Sequence, residues 1–351
     1  MRNFLPEKIV IERGCGDDVV TKNVLKNLSD IYVRYTDEID GEYLKQNVLV
    51  IKKNGGKFFK RCPCSPGVIC CGYYVLQNAE NCHLNCTYCF LHEYFKGNTI
   101  IVYSNIDKMF DELRRILGNN PEKFFRIGTG EFSDSLAIDN ITEISKLIVP
   151  FFAEYKNALL ELKTKSTYIE NLLGLDHKKR TVVSWSVNPN RVICKEESLS
   201  PNLDKRLKAA RVCAERGYRI GFHFDPVIYY QGWEKDYKKV IEKIFSYINP
   251  RDIIWISLGT FRYIPGLKDV VRRKFPLSKI IYGEHILCSD GKMRYIKPLR
   301  VEIYKKMLNW IRECSEDVFV YLCMETKEVW KNVFNLTLKR YNELEDLFPK
   351  N

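Results

Sequence analysis

The sequence predicts an α/β protein built around a partial (β/α)6 TIM-like barrel. Short apolar β-type runs alternate with helical patterns from about residue 72 to residue 258 of the 351-residue chain. Repeated units of this kind form parallel strands with right-handed crossovers. The rhythm changes on either side of this stretch. We therefore predict an N-terminal α/β piece with a linker over residues 1–70, the barrel over residues 71–260, and a C-terminal extension over residues 261–351 that contributes to substrate binding.

The N-terminal piece is predicted from three β-type runs and one helical pattern. The strands are expected at residues 9–13, 30–35 and 48–51, and the helix at residues 19–28. A linker follows over residues 61–67, which contain two prolines and a glycine and are therefore expected to turn.

Six further β-type runs form the predicted barrel. They are expected at residues 72–77, 123–128, 158–163, 181–187, 218–224 and 253–258, with helices at residues 106–117, 139–151, 168–173, 202–215 and 232–247. In a parallel barrel the C-terminal ends of the strands meet at one mouth, where functional sites lie. The C-terminal extension is less regular, with helical patterns at residues 301–311 and 325–333 and a strand at residues 318–321.

A cysteine-rich loop directly follows the first barrel strand. It reads CHLNCTYC over residues 82–89, a C-x3-C-x2-C spacing with an aromatic residue before the third cysteine. Three thiolates can hold three irons of a cubane cluster and leave the fourth iron open to a small molecule, whereas ordinary ferredoxin-type clusters take four cysteines. We therefore predict that Cys82, Cys86 and Cys89 ligate a [4Fe-4S] cluster.

A structural zinc site is the alternative for the same loop. Such a site needs four ligands, and the upstream residues Cys62, Cys64, Cys70 and Cys71 are available as a source of the fourth. These four cysteines are otherwise expected to be buried structural thiols or ligands of a further metal.

Composition indicates a reduced compartment and a polyanionic partner. The chain has thirteen cysteines and opens without an apolar leader, so metal-binding thiols and a cytoplasmic location are expected rather than disulfides. It contains no apolar run long enough to span a membrane. The formal net charge of +12 favours a nucleic-acid partner, with a lysine-rich solvated surface as the alternative.

Polar residues follow the predicted strands and are expected to meet at the mouth of the barrel. Gly128, Gly130 and Glu131 follow the second strand; here the glycines would let the backbone approach a ligand, and the carboxylate would pair with an ammonium group. Lysine, hydroxyl and amide groups follow the next strands, a set suited to a zwitterionic amino-acid ligand with a sugar.

These features resemble the radical S-adenosylmethionine (SAM) superfamily. The cysteine loop has that superfamily's spacing, and GTGE at residues 128–131 is similar to its Gly-Gly-Glu motif, which holds the methionyl ammonium. A closer resemblance to the spore photoproduct lyase family is carried by KRCP at residues 60–63, ICCGY at residues 69–73, FSD at residues 132–134 and KPLRVE at residues 297–302.

The resemblance implies a barrel of the radical SAM type that binds a [4Fe-4S] cluster and SAM. It implies reductive cleavage of SAM to a 5′-deoxyadenosyl radical, which abstracts hydrogen from a substrate such as a thymine photoproduct in DNA. An electron donor such as flavodoxin or ferredoxin is then expected. By position, the residues implied to line the SAM site are Gly128, Gly130, Glu131, Ser133, Lys165, Ser186 and Asn188.

Two positions depart from the family's pattern. Its repair enzymes carry a cysteine that returns a hydrogen atom to the product radical, and Glu131 stands at that position here. They also carry a tyrosine directly after the third cluster cysteine, where this chain has Phe90, so Tyr88 is the remaining candidate for a catalytic hydroxyl. Both changes are consistent with a different product or substrate.

The C-terminal extension combines basic residues with tyrosines whose rings are able to stack on bases. The residues predicted to contact nucleic acid are Arg262, Tyr263, Lys292, Arg294, Tyr295, Lys297 and Arg300. Two other functions remain as alternatives: a radical SAM enzyme acting on a peptide, nucleoside or metabolite, and a non-enzymatic cysteine-rich protein that binds zinc or nucleic acid.

Overall fold

A computed structural model describes residues 4–41, 43, 47–95, 97–338 and 343–350 of the chain. The strands in this part are β1 Lys8–Glu12, β2 Val33–Thr36, β3 Val48–Lys52, β4 Phe59–Arg61, β5 Tyr73–Leu76, β6 Ala79–Glu80, β7 Ile100–Tyr103, β8 Phe125–Gly128, β9 Ala158–Thr164, β10 Thr181–Ser186, β11 Arg219–Val227, β12 Ile253–Thr260, β13 Arg262–Tyr263, β14 Ile286–Leu287, β15 Met293–Arg294 and β16 Val320–Leu322.

Helices cover much of the remaining described chain. The α-helices are α1 Val19–Asn27, α2 Leu91–Tyr94, α3 Ile106–Gly118, α4 Asp139–Thr142, α5 Ser145–Ala153, α6 Asn190–Glu196, α7 Leu203–Glu215, α8 Trp233–Tyr247, α9 Leu267–Lys274, α10 Lys297–Cys314, α11 Lys327–Phe334 and α12 Leu344–Leu347. Short 3-10 helices lie at Glu170–Leu172, Pro250–Asp252 and Ile280–Tyr282.

The predicted partial barrel is confirmed as a curled eight-stranded sheet in the order β16-β12-β11-β10-β9-β8-β5-β4. Neighbouring strands from β5 to β16 pair in parallel, and β4 joins β5 antiparallel at one edge. Every residue of β10 and β12 is buried, as expected for parallel strands whose two faces are covered. The six predicted barrel strands correspond to β5 and β8–β12.

A second sheet has the order β2-β1-β3-β7-β6 and does not follow the boundary predicted at residue 70. Its strands β6 and β7 come from beyond that residue, whereas β4 comes from before it and pairs with the barrel sheet. The chain therefore crosses from the barrel strand β5 to β6 just before the cysteine loop. The loop therefore follows a strand of the second sheet, β6, rather than the barrel strand itself.

The sequence predicted a single helix over residues 139–151, whereas the structure has two helices there, α4 and α5. The break lies at Glu143, whose φ of 52° is left-handed, so the helical path stops after α4 and restarts in α5. Similarly, the helix predicted at residues 168–173 is a single 3-10 turn.

The C-terminal part adds the last strand to the barrel sheet and packs against it. Strand β16 pairs with β12, and α10 packs against α8 and α11. The ring of Phe348 lies 3.4 Å from the guanidinium of Arg126, near the start of β8. None of the helices among the described residues combines the length and the apolar composition that a membrane span requires.

Candidate functional site

A pocket of about 350 Å³ opens at the C-terminal ends of the barrel strands. This volume lies in the range of small-molecule and cofactor sites. The wall combines the cysteine loop with residues from the ends of β8, β9, β10 and β11 and from the segment before β5. The mouth predicted from the strand–helix pattern is therefore where the structure has its pocket.

The three predicted cluster ligands, Cys82, Cys86 and Cys89, all line this pocket. Backbone hydrogen bonds fix the loop: the N–H of Cys82 donates to Asn81 Oδ1 at 2.8 Å, and the N–H of Cys89 donates to the Cys86 carbonyl at 3.0 Å. Asn81 and Asn85 have φ values of 69° and 51°, a left-handed conformation that asparagine tolerates well.

Burial makes the loop a poor place for free thiolates. It raises the pKa of Cys86 to about 12, although Lys165 opposes this, and it also raises the pKa of Cys82 and Cys89. Positive charge brought among the sulfurs would offset that cost. The donor set therefore fits a bound metal cluster.

The loop thiols are not gathered around a single point in the structure. Among the described residues, no three His, Cys, Asp or Glu side chains converge to hold one metal ion, whether in the loop or upstream at Cys62, Cys64, Cys70 and Cys71. A structural zinc site needs four ligands on one ion. Thiolates of a cubane each bind a different iron and need not converge.

A buried network of hydrogen bonds and one ion pair holds the cysteine loop through Tyr88. Glu197 accepts hydrogen bonds from the Tyr88 hydroxyl and, at 2.9 Å, from Asn188 Nδ2. Its other oxygen lies 2.5 Å from the guanidinium of Arg206. Burial alone would raise the pKa of Glu197, but Arg206 and then Lys165 outweigh burial and lower that pKa to about 2.

Glu197 and Arg206 were missed by the sequence analysis. A signal was present for Arg206, because it shares a helical stripe of α7 with Leu203, Leu207 and Ala210, all of which are buried. A charge on such a face indicates a buried partner. Nothing in the sequence identified that partner as Glu197.

The next residue back, Glu196, fastens the loop directly. Its carboxylate accepts hydrogen bonds from the Thr87 hydroxyl and, at 2.6 Å, from Ser278 Oγ. Its backbone carbonyl accepts from the N–H of Thr87 at 2.9 Å. The end of α6 therefore holds the middle of the cysteine loop through Glu196 and Glu197.

The two predicted cofactor-binding glycines are required by packing. A Cβ on Gly128 would lie 1.5 Å from the hydroxyl of Tyr73, and one on Gly130 would lie 2.9 Å from the Lys163 carbonyl. Gly130 lines the pocket, and Gly128 is not among the pocket-lining residues of the described chain. Close approach of a ligand is thus not needed to explain Gly128.

Four of the other residues implied for the SAM site lie on the pocket wall: Glu131, Ser133, Lys165 and Ser186. The Lys165 ammonium lies 5.6 Å from the centre of the Tyr88 ring. Although burial opposes it, the charges of Cys86 and Glu197 raise the pKa of Lys165. Asn188 is buried behind the wall, where its Oδ1 accepts a hydrogen bond from Tyr237 at 2.7 Å.

Glu131 lies on the same wall as several thiols. Burial and, after it, the charge of Glu131 raise the pKa of Cys62. The same charge acts on the ammonium group of Lys163, whose pKa it raises although desolvation opposes this. The family resemblance leads one to expect a cysteine at position 131. The chain has a glutamate there instead, with the thiol of Cys62 and the ammonium group of Lys163 nearby.

The seven residues predicted to contact nucleic acid do not form one exposed strip. Four of them are buried: Tyr263, Arg294, Tyr295 and Arg300. All three arginines are paired with carboxylates, at 2.9 Å for Arg262–Asp225, 2.6 Å for Arg294–Asp290 and 3.0 Å for Arg300–Glu325. The buried arginines are therefore neutralised by carboxylates within the fold.

The remaining three of these residues have more open positions. Arg262 and Lys292 line the pocket with partly exposed side chains, and Lys297 is exposed and paired with Glu328 at 2.7 Å. Binding of nucleic acid by this set stays a prediction, with Arg262 and Lys292 as its best placed members.

Comparison with known proteins gives a family match over most of the chain. The family model for spore photoproduct lyase matches residues 68–309. A relative from Bacillus subtilis (strain 168), named spore photoproduct lyase, is 28% identical over 215 residues, which is 60% of this chain and 63% of that protein's own length. A relative of the same name from Clostridium acetobutylicum is 21% identical over 287 residues, 78% of this chain and 83% of that protein.

Solved structures of similar fold carry the same name. Spore photoproduct lyase complexed with the dinucleoside spore photoproduct has a TM-score of 0.81 at 22% identity and covers 92% of this chain and 100% of that chain. A mutant with bound AdoMet and the dinucleoside has a TM-score of 0.80 at the same identity and coverage. At this identity the likeness shows the fold, which is the predicted one.

Proposed function

Because this chain belongs to the spore photoproduct lyase family, we propose that it is a radical SAM enzyme of lyase type. Its cofactors are a [4Fe-4S] cluster on Cys82, Cys86 and Cys89 and a molecule of SAM in the adjoining pocket. When bound, the cluster supplies the electron that cleaves the sulfonium and yields a 5′-deoxyadenosyl radical. The observation that carries the proposal is the opening of all three loop thiols into the pocket at the barrel mouth.

The chain's own residues would position SAM by charge and hydrogen bonding. Glu131 offers a carboxylate to the methionyl ammonium, and Lys165 offers a cation beside the loop sulfurs. Ser133 and Ser186 present hydroxyl groups to the same space. Gly128 and Asn188 would act indirectly. Gly128 leaves room for the Tyr73 hydroxyl, and Asn188 donates a hydrogen bond to Glu197.

Tyr88 is proposed to hold the pocket rather than to exchange its hydrogen freely. Its hydroxyl donates to Glu197, and burial raises its pKa well above the usual value, so the phenol stays protonated. Removal of the hydroxyl hydrogen would leave a buried carboxylate without that donor. A relay role would need this hydrogen bond to open first.

A thymine photoproduct in DNA is the leading substrate, because a solved spore photoproduct lyase of this fold is complexed with dinucleoside spore photoproduct. Arg262 and Lys292 on the pocket wall offer cationic groups to a phosphodiester. An electron donor such as flavodoxin or ferredoxin is expected, and the cytoplasm is the expected location.

Anaerobic reconstitution followed by incubation with SAM and a reductant tests this proposal. We expect about four irons per chain, the content of one cluster, and formation of 5′-deoxyadenosine. With irradiated DNA we expect recovery of thymine. Absence of 5′-deoxyadenosine from protein with a full iron content would refute the radical step, whereas absence of thymine alone would refute only the substrate.

A second candidate is the same radical chemistry on a charged non-DNA substrate. It is favoured by the charged pocket wall, where Glu131, Lys163 and Asp225 are found close together. Thymine bases are neutral, so they would offer no charged group to pair with these side chains. Retention of 5′-deoxyadenosine formation, without binding of oligonucleotides at low salt, would select this candidate.

A further inference from the structure

Three polar side chains that line the pocket lie on barrel strands rather than after the strand ends. They are Tyr73 on β5, His223 on β11 and Ser257 on β12, and we call them the barrel floor. Only 7%, 6% and 0% of their surfaces, in that order, are exposed. Because the interior of a β/α barrel is ordinarily packed with branched apolar side chains, this buried polar set indicates a role other than packing.

Strand register places the floor residues on the face of the sheet that carries the pocket. His223 is in register with Ser257 across β11 and β12, and with Ser186 across β10 and β11. Side chains at paired positions of neighbouring strands project from the same face, and all three of these line the pocket. The Tyr73 hydroxyl lies beside Gly128, where an added Cβ would be 1.5 Å from it.

Glu161 holds the imidazole ring of His223. Its Oε1 lies 2.7 Å from His223 Nε2. The same oxygen accepts hydrogen bonds from Ser184 Oγ at 2.6 Å and from Trp255 Nε1 at 3.2 Å. Because a carboxylate oxygen only accepts hydrogen bonds, Nε2 carries the hydrogen, and Nδ1 of the neutral ring remains as an acceptor.

Within the described residues, the two hydroxyls of the floor lack hydrogen-bond partners. This holds for the Tyr73 hydroxyl and for Ser257 Oγ, both of them buried. A buried hydroxyl without a partner lowers stability, and folded proteins satisfy the large majority of such groups. Two unpaired hydroxyls on the surface of one pocket therefore indicate a ligand that completes their hydrogen bonds.

The hydrogen-bonding groups of the floor suit an uncharged ligand. The hydroxyls of Tyr73 and Ser257 donate and Nδ1 of His223 accepts, so a matching ligand carries carbonyl oxygens and an N–H along one edge. The imide edge of a thymine ring has this pattern, with the N3–H between two carbonyls. Cytosine has an unprotonated N3, which would place an acceptor against the Nδ1 acceptor.

We propose that the barrel floor binds the imide edge of a thymine ring in the substrate. Tyr73 and Ser257 donate hydrogen bonds to the ring carbonyls, and His223 Nδ1 accepts one from the N3–H. This role rests on the proposed function and deepens it: the floor recognises a neutral base, whereas Glu131 and Lys163 provide charge elsewhere on the pocket wall.

Binding of the dinucleoside spore photoproduct to the reconstituted full-length protein tests this role without SAM cleavage. Equilibrium dialysis in the absence of SAM and reductant gives the dissociation constant, and the comparison ligand is the same compound methylated at N3 of both rings. We expect methylation to weaken binding by the wild-type protein about tenfold, because it removes the N–H and leaves Nδ1 of His223 unpaired.

Ser257→Ala and Tyr73→Phe distinguish ligand binding from a structural role. Each removes a hydroxyl that is unpaired within the described chain, so the unliganded protein should keep or gain thermal stability while its affinity for the dinucleoside falls about 3–10-fold. The matched control is Thr181→Val on β10. Among the residues described, the buried Thr181 Oγ1 likewise lacks a partner, yet Thr181 does not line the pocket. This control should keep or gain stability with unchanged affinity.

Unchanged affinity in both floor variants, the result expected if only water meets the hydroxyls, would overturn the proposal. Equal affinity of the wild-type protein for the two compounds, or no measurable binding of the dinucleoside, would also overturn it, whatever the stability of the variants. Formation of 5′-deoxyadenosine, measured separately on the same preparations, reports on the radical function. Its absence would refute the radical step alone, and its presence without dinucleoside binding would refute the floor alone.

Discussion

The carboxylate of Glu197 lies 2.5 Å from the guanidinium of Arg206, and both side chains are fully buried. Arg206 also donates to the Ser186 carbonyl at 2.8 Å, at the end of β10. The pair therefore joins a strand end of the barrel to the base of the cysteine loop. Any change in it should reach the pocket, although neither residue is among the pocket-lining residues described.

Replacing Arg206 by methionine should strongly destabilise the protein. It leaves the Glu197 carboxylate charged and buried without its cation, and removal of one partner of a buried pair costs about 3–5 kcal/mol. The matched control is Arg211→Met on the same helix, which breaks an exposed ion pair with Glu215 and should cost less than about 1 kcal/mol. Urea unfolding of both variants measures the difference, and equal costs would contradict the assigned role of the buried pair.

Acid should weaken the fold through the same carboxylate. The pKa of Glu197 is about 2 in the folded protein, below the value of about 4.3 for an unfolded glutamate. Its contribution is therefore fully present above the unfolded pKa and is lost as the pH falls towards 2. Urea unfolding between pH 7 and pH 3 should show this loss, and Glu197→Gln should flatten the profile. Glu215→Gln, the exposed control, should leave the profile unchanged.

Gly128→Ala should disturb the wall for steric reasons even when no ligand is bound. The added Cβ would overlap the Tyr73 hydroxyl at 1.5 Å, and overpacking of this kind costs about 1–3 kcal/mol. Gly174→Ala is the matched control, since nothing lies within 4 Å of the position of its added Cβ. If Gly128→Ala instead lost SAM affinity without losing thermal stability, the result would support direct contact between Gly128 and the ligand.

The cysteine loop should tolerate no loss of a predicted ligand. Alanine at Cys82, Cys86 or Cys89 should remove the brown colour and most of the bound iron after reconstitution, because each loop thiolate is predicted to hold a different iron of a cluster that already has one open iron. Cys71→Ala is the control, as Cys71 is a pocket-lining thiol outside the loop. The measurements are the iron content and the absorption spectrum of each of the four reconstituted variants. Retention of a full cluster in any loop variant would exclude that residue as a ligand.

The local parts of the structure were accessible from sequence. Period and spacing identified the barrel strands and the cysteine loop, because each depends on residues close together in the chain. Tyr88 and Glu197 are 109 residues apart, so no local pattern reveals their hydrogen bond. Likewise Arg300 looked like a solvent-facing cation until Glu325 was found beside it in a buried pair.

The two-residue strands were beyond sequence reasoning for a related reason. Strands β13, β14 and β15 contain two residues each and form a sheet of their own, too short for an alternating pattern to be recognised. The tyrosines Tyr263 and Tyr295 were therefore interpreted by composition alone as base-stacking groups. The structure buries both rings beside His285, with ring centres 5.2 and 4.7 Å away respectively.

Tyr88→Phe separates a positioning role from a relay role for this hydroxyl. The variant removes one hydrogen bond to Glu197, which keeps Asn188 and Arg206 as partners. A hydrogen bond to a charged group contributes about 1.5–3 kcal/mol, so we expect a clear loss of stability. If Tyr88 only positions the loop, the yield of 5′-deoxyadenosine per cluster should change little. A stable, fully loaded variant that makes 5′-deoxyadenosine but no product would assign the relay to Tyr88. Phe90→Tyr is the matched comparison, because Phe90 also lines the pocket and is partly exposed, so an added hydroxyl there should be tolerated without loss of stability.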